Sequence, residues 1–132
     1  MLMKLKMLLW YMARRMELLC RTHPEFIAHL HGRDFVLQLQ AADGKTVRYF
    51  QVRHNRVNSR TRPHEKPDLN IVFETDEYGF KVLTAPDKSI FMVGMQEQKI
   101  KVEGDFNLLL WFMAISKYLR PGATKKQIEP AA

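Results

Sequence analysis

Carboxylates are the scarcer charge in this chain. Asp and Glu number 14 against 21 Lys and Arg, so the formal net charge is +7 with histidine neutral. The excess favours an anionic partner: nucleic acid, an anionic membrane surface, or a phosphorylated or carboxylated ligand. Cysteine is nearly absent. Cys20 stands alone, which excludes an internal disulfide, and its place inside an apolar helical pattern reads as packing. No apolar run reaches the roughly 20 residues a membrane span needs. The run Met7 to Ala13 is short and meets Arg14-Arg15 at once, with no small-residue cleavage site, so export is not expected. There is no G-x-S-x-G elbow, no Cys-His pairing context and no glycine-rich phosphate loop, which argues against an autonomous enzyme. His29 and His31 form an H-x-H pair with Asp34 nearby, but without a third convincing ligand they read as surface histidines. His23, His54 and His64 are dispersed.

What is present fits one globular domain: 132 residues, 46% hydrophobic, with no internal repeat. Residues 3–21 read as a helix with Leu5, Leu8, Leu9, Met12, Met16 and Leu19 on one broad face. Lys6, Arg14, Glu17 and Arg21 fall opposite, with Trp10 among them. Such a basic amphipathic helix packs on its own domain, or docks on a membrane surface or in a partner groove. Pro24 breaks the pattern, and a short helical turn is expected over 25–30, ended by Gly32. Residues 34–53 alternate as a hairpin about Asp43-Gly44. A polar edge strand follows near Arg56 to Ser59, then a loop carrying Pro63 and Pro67. Asp68 to Glu74 reads as a fourth strand. Thr75 or Asp76 caps a short helix, Pro86 separates a second one, and Lys99 to Glu103 is a fifth strand. The last helix, capped by Asp105, is apolar on nearly every side and must be covered all round. From Arg120 onward the chain reads as a mobile tail.

This order of elements resembles the sterol carrier protein type 2 family of lipid-binding domains. The resemblance rests on the hairpin at Asp43-Gly44, on DLNIVFETDEYGFKVL (68–83) and above all on KIKVEGDFNLLLWF (99–112). It covers roughly residues 25–120, so we divide the chain into an amphipathic helix (1–24), a lipid-binding domain (25–120) and a tail (121–132). The resemblance implies an α+β fold, with a five-stranded, largely antiparallel sheet and helices packed on one face. It implies an apolar tunnel between sheet and helices for a fatty acid, acyl-CoA, sterol-like or isoprenoid-quinone-type lipid. It implies a non-catalytic carrier, or an accessory or scaffold protein for a lipid- or quinone-modifying enzyme, with no cofactor and no metal.

Candidate tunnel residues are Phe80, Leu83, Phe91, Met92, Met95, Leu109, Phe112, Met113 and Leu119. Methionine adapts to irregular apolar shapes, and aromatic rings supply large contact area. Arg48, Arg53, Arg56, Arg60, Arg62 and Lys66 crowd one region with only Glu65 opposing, a candidate surface for membrane phosphates, an acyl-CoA phosphate or an acidic partner. The same region interleaves Tyr49 and Phe50 with arginines, so a nucleic-acid binder is the rival reading, although no RNA-binding signature or DNA-reading helix accompanies it. The expected setting is cytoplasmic or peripheral to a membrane, with a homodimer or a partner enzyme as further partners.

Overall fold

The computed structural model describes residues 3–87 and 89–119. Apolar–polar alternation yields five strands among these residues: β1 (Phe35–Ala41), β2 (Val47–Arg53), β3 (Arg56–Arg60), β4 (Leu69–Phe73) and β5 (Ile100–Gly104). They form one sheet in the order β3-β2-β1-β4-β5. Neighbours are antiparallel except β1 and β4, which run parallel. The parallel pair requires the chain to return along the sheet between β3 and β4. The segment 61–68 does this across the outer face, where the His64 N–H donates to Gln38 Oε1 at 2.7 Å and the His64 ring meets Tyr49 edge-on. Prolines at 63 and 67 suit a segment that lies over the sheet until Asp68, whose N–H donates to the Val36 carbonyl at 2.9 Å, rejoins it.

The other face is apolar. Leu37 and Leu39 of β1, Phe50 of β2, and Leu69, Ile71 and Phe73 of β4 are each at most 1% exposed. Among the described residues five helices cover them: α1 (Met3–Thr22), α2 (Pro24–Leu30), α3 (Asp76–Thr84), α4 (Ser89–Gln96) and α5 (Phe106–Ile115), the last continuing into a 3-10 turn, Ser116–Tyr118. The result is the expected α+β layout of a mostly antiparallel sheet with helices on one side.

Local sequence sets the helix starts. His23 caps α2 through Nδ1, which accepts from the Phe26 N–H, and Pro24 occupies the first helical position. Of the two candidates for α3, Thr75 is the cap, accepting from the Tyr78 N–H at 3.0 Å. Asp105 caps α5 by accepting from the Asn107 N–H. The apolar face of α1 is buried at Leu5, Leu8, Leu9, Met12, Met16 and Leu19, together with Ala13 and Cys20. These side chains belong to the same core as the strands and α5, so α1 completes the helical layer. The segment read as a tail lies outside the described residues.

An apolar crevice and a divided basic surface

The helix α5 is not covered all round. Leu108, Leu109, Trp111, Phe112 and Ile115 are buried, while Phe106 and Leu110 are each 51% exposed. Its buried side is pinned by polar contacts at the far end of the chain. Trp111 Nε1 donates to the His29 carbonyl at 2.8 Å, and its ring meets Phe35 edge-on at 4.7 Å. After α5, the Tyr118 ring sits among His23, Phe26 and His29. Arg15 of α1 donates through Nε and Nη2 to the Tyr118 carbonyl at 3.3 and 3.1 Å. That guanidinium satisfies a carbonyl that the ending helix leaves free.

Leu83, Phe91, Phe112 and Met113 come together around a crevice between α3, α4 and α5. Val82, Ala85 and Ile90 complete its apolar wall, and Asp87 and Ser116 stand at its rim. Its volume is about 30 Å³, the share of one water molecule in the liquid. The other candidate residues go elsewhere. Leu109 and Leu119 are sealed in the core, at 0% and 1% exposure. Met95 packs half-buried against the core, whereas Met92 is 44% exposed. Phe80 lies under the Lys4 ammonium, 5.7 Å from the ring centre, beside a separate surface cleft with Tyr78 and Thr75.

The basic candidates divide by strand alternation. Arg53 of β2 pairs with Arg56 of β3, and Arg60 pairs with Tyr49, so these cations stand on the outer face. Arg62 and Lys66 are exposed on the loop crossing that face. Arg48 points the other way. It shares the helix-facing side with Phe50 and Val52, is half-buried beside Leu9, and donates from Nη1 to Ser59 Oγ at 2.7 Å. Among the described residues no group of three His, Cys, Asp or Glu side chains is placed to hold a metal. No described helix is long and apolar enough to cross a membrane.

No protein-family model matches the sequence, and no curated protein matches it. Solved structures do match. A protein described as "UbiJ-SCP2 Ubiquinone synthesis protein" aligns over 83% of this chain and 95% of its own, with a TM-score of 0.59 at 16% identity. The sterol carrier protein domain 2 of Helicoverpa armigera aligns over 81% and 83%, with a TM-score of 0.59 at 15% identity. The chain has the fold of an SCP2 domain. The sec-alkylsulfatase Pisa1 from Pseudomonas sp. aligns over 72% of this chain and 14% of its own, with a TM-score of 0.50 at 14% identity.

Within this SCP2-like fold, two groups of residues escaped the sequence reading. Val82, Ile90 and Ser116 share the crevice, each within a helical turn of Leu83, Phe91 or Phe112, and Ala85 enters it as the extended cap that ends α3. Lys6 and Lys45 join Arg48 at a second concavity, and no spacing in the sequence links positions brought together by the crossing of a helix and a hairpin.

Proposed function

We propose that this SCP2-like chain is a non-catalytic lipid-binding and transfer module that holds an acyl or isoprenoid tail at the α3–α4–α5 seam. The observation that carries the proposal is the convergence of Leu83, Ile90, Phe91, Phe112 and Met113 on one crevice. At about 30 Å³ the crevice admits a tail only by moving its walls. Ile90 and Met113 are the half-buried members, and a thioether side chain re-packs readily around a guest. Each methylene taken from water contributes about 0.8 kcal/mol, so a long tail can offset the displacement. The likeness to a ubiquinone synthesis protein supports isoprenoid-quinone intermediates as cargo, presented to the enzymes that modify them. Fatty acid, acyl-CoA and sterol-like lipids are the other cargo classes of this reading.

Peripheral membrane association is the second part of the proposal, and α1 supports it. Met7, Trp10 and Leu18 recur at helical spacing on its solvent side, 63%, 52% and 54% exposed. Lys6, Arg14 and Arg21 are exposed around them, and Glu17, the acid of this helix, is ion-paired to Arg14 at 3.3 Å. An apolar stripe framed by cations suits an anionic lipid surface.

Organic extraction of the purified chain followed by mass spectrometry tests the cargo. Stoichiometric recovery of one lipid class is expected. Met113→Arg, at a half-buried position, is expected to keep the fold and lose displacement of a fluorescent fatty-acid probe. A lipid-free protein that also ignores the probe overturns the proposal.

A further inference from the structure

The groove where the second turn of α1 crosses the β1–β2 hairpin is built for a different ligand chemistry. It has a volume of about 340 Å³, at the small end of the roughly 300–1,000 Å³ usual for ligand pockets. Lys6, Lys45 and Arg48 line it, with Leu9 as its apolar floor and Thr46 and Thr61 on its walls. The Thr46 hydroxyl is already committed, donating to Asp76 Oδ1 at 2.7 Å, while Thr61 is exposed. Among the described residues no carboxylate lines the groove.

Arg48 makes the groove more than a collection of surface lysines. A guanidinium partly withdrawn from water, as the half-buried Arg48 is, gains from an anionic partner that offsets its desolvation. Among the described residues Arg48 has no carboxylate within ion-pair distance, and its one hydrogen bond goes to a neutral hydroxyl. Burial holds its pKa below the ordinary arginine value; the Glu17 charge opposes that, and the Arg14 charge, a smaller influence, adds to it. Glu17 itself is engaged by Arg14. Lys6 and Lys45 have no carboxylate partner among the described residues either.

We infer that this groove binds a phosphoryl group, with Arg48 as the fixed fork donor and Lys6 and Lys45 as flanking charges. Three unpaired cations match a multiply charged oxyanion better than a single carboxylate, and a planar guanidinium can bind two of its oxygens at once. The site stands apart from the apolar seam and does not require that a lipid tail be bound there. It is also distinct from the arginines of the outer face, which the sheet separates from Arg48.

Titration of the isotope-labelled full chain with inorganic pyrophosphate, at constant ionic strength, tests the site by amide chemical shifts. Saturable shifts are expected at Lys45, Thr46, Arg48 and Thr61. Lys6→Gln and Lys45→Gln, both at exposed positions, are expected to weaken binding by about tenfold together. Arg53→Gln with Arg56→Gln on the outer face should change it by less than about twofold. Arg48→Gln is expected to abolish the rise in thermal midpoint that pyrophosphate gives the wild type. A parallel titration with phosphatidic acid and phosphatidylcholine vesicles separates the sources of the group. Groove shifts with pyrophosphate support a soluble phosphoryl ligand, and groove shifts with phosphatidic acid alone support a lipid headgroup. Shifts that never saturate with either, or equal weakening by groove and outer-face variants, overturn the site. A pyrophosphate-induced rise that persists in Arg48→Gln does the same.

Discussion

The Asp76 carboxylate accepts the Thr46 hydroxyl at 2.7 Å, with both residues buried at 6% and 2% exposure. Its second oxygen accepts the Leu5 N–H at 3.2 Å. That N–H lies in the first turn of α1, among the donors a helix leaves without an internal partner. Asp76 also opens α3, so the positive ends of two helices share one carboxylate. The arrangement ties α1, α3 and the end of the hairpin together. Asp76→Ala leaves a buried hydroxyl and a buried N–H without an acceptor. It is expected to cost about 3 kcal/mol, and Asp76→Asn, which keeps an acceptor oxygen, about half of that. Urea midpoints of the three proteins check this, and equal midpoints would remove Asp76 from the account of stability.

Gly94 lets α4 rest on β5. A Cβ there would lie 2.5 Å from Tyr78 Oη and 2.6 Å from Ile100 Cδ1. Gly94→Ala gains helix propensity, but overpacking against a strand side chain outweighs it, with an expected loss of about 1–3 kcal/mol. The thermal midpoint reads the change. A more stable variant would mean that α4 can move outward freely.

Leu109 and Met113 lie one turn apart on α5, and the structure separates their roles. Leu109 is fully buried, so Leu109→Ala is expected to cost about 2–5 kcal/mol through the cavity it leaves. Met113 borders the crevice, so Met113→Ala is expected to cost less and to enlarge the space open to a tail. Denaturation together with probe affinity resolves the two. Equal stability losses would place Met113 in the core as well.

That separation shows where the sequence was legible. The periodicity of α1 marked its buried face because Lys6, Arg14, Glu17 and Arg21 fall on the opposite side, although Met7, Trp10 and Leu18 lie there as well. In α5 apolar residues occupy nearly every position, so no pattern announced that Leu109 turns to the core or that Phe106 and Leu110 reach solvent. The strands were legible from alternation, and alternation also implied that Arg48 and Arg53, of opposite parity on β2, face opposite ways. Density of charge along the chain hid that. The meeting of Thr46 with Asp76, 30 residues apart, depends on tertiary packing that local spacing does not encode.

The exposed stripe of α1 gives a prediction that separates docking from folding. Met7, Trp10 and Leu18 are all more than half exposed, so replacing the three by Ser should leave stability nearly unchanged, within about 0.5 kcal/mol for each site. Co-sedimentation with anionic vesicles is expected to fall sharply, and the wild-type signal to weaken in high salt. Vesicle binding that survives the triple variant would move the contact to another face.

Alkaline pH should loosen the closure of the chain at Tyr118. Its ring is buried at 2% exposure, and its hydroxyl lies 3.5 Å from Glu25 Oε2. Burial, and then the Glu25 charge and hydrogen bond, raise its pKa above the ordinary value of 10.0. The folded state therefore keeps this proton at pH values where the unfolded state has released it. The stabilisation is complete below pH 10 and is lost as pH rises through the folded value. Tyr118→Phe removes the titration. At neutral pH it should cost about 0.5–1 kcal/mol for the lost hydrogen bond. Above pH 10 its stability should fall less steeply than that of the wild type. Urea midpoints measured on both sides of that pH give the two slopes. Parallel slopes would show that another group governs the alkaline limb, since Arg15 would still hold the Tyr118 carbonyl in both proteins.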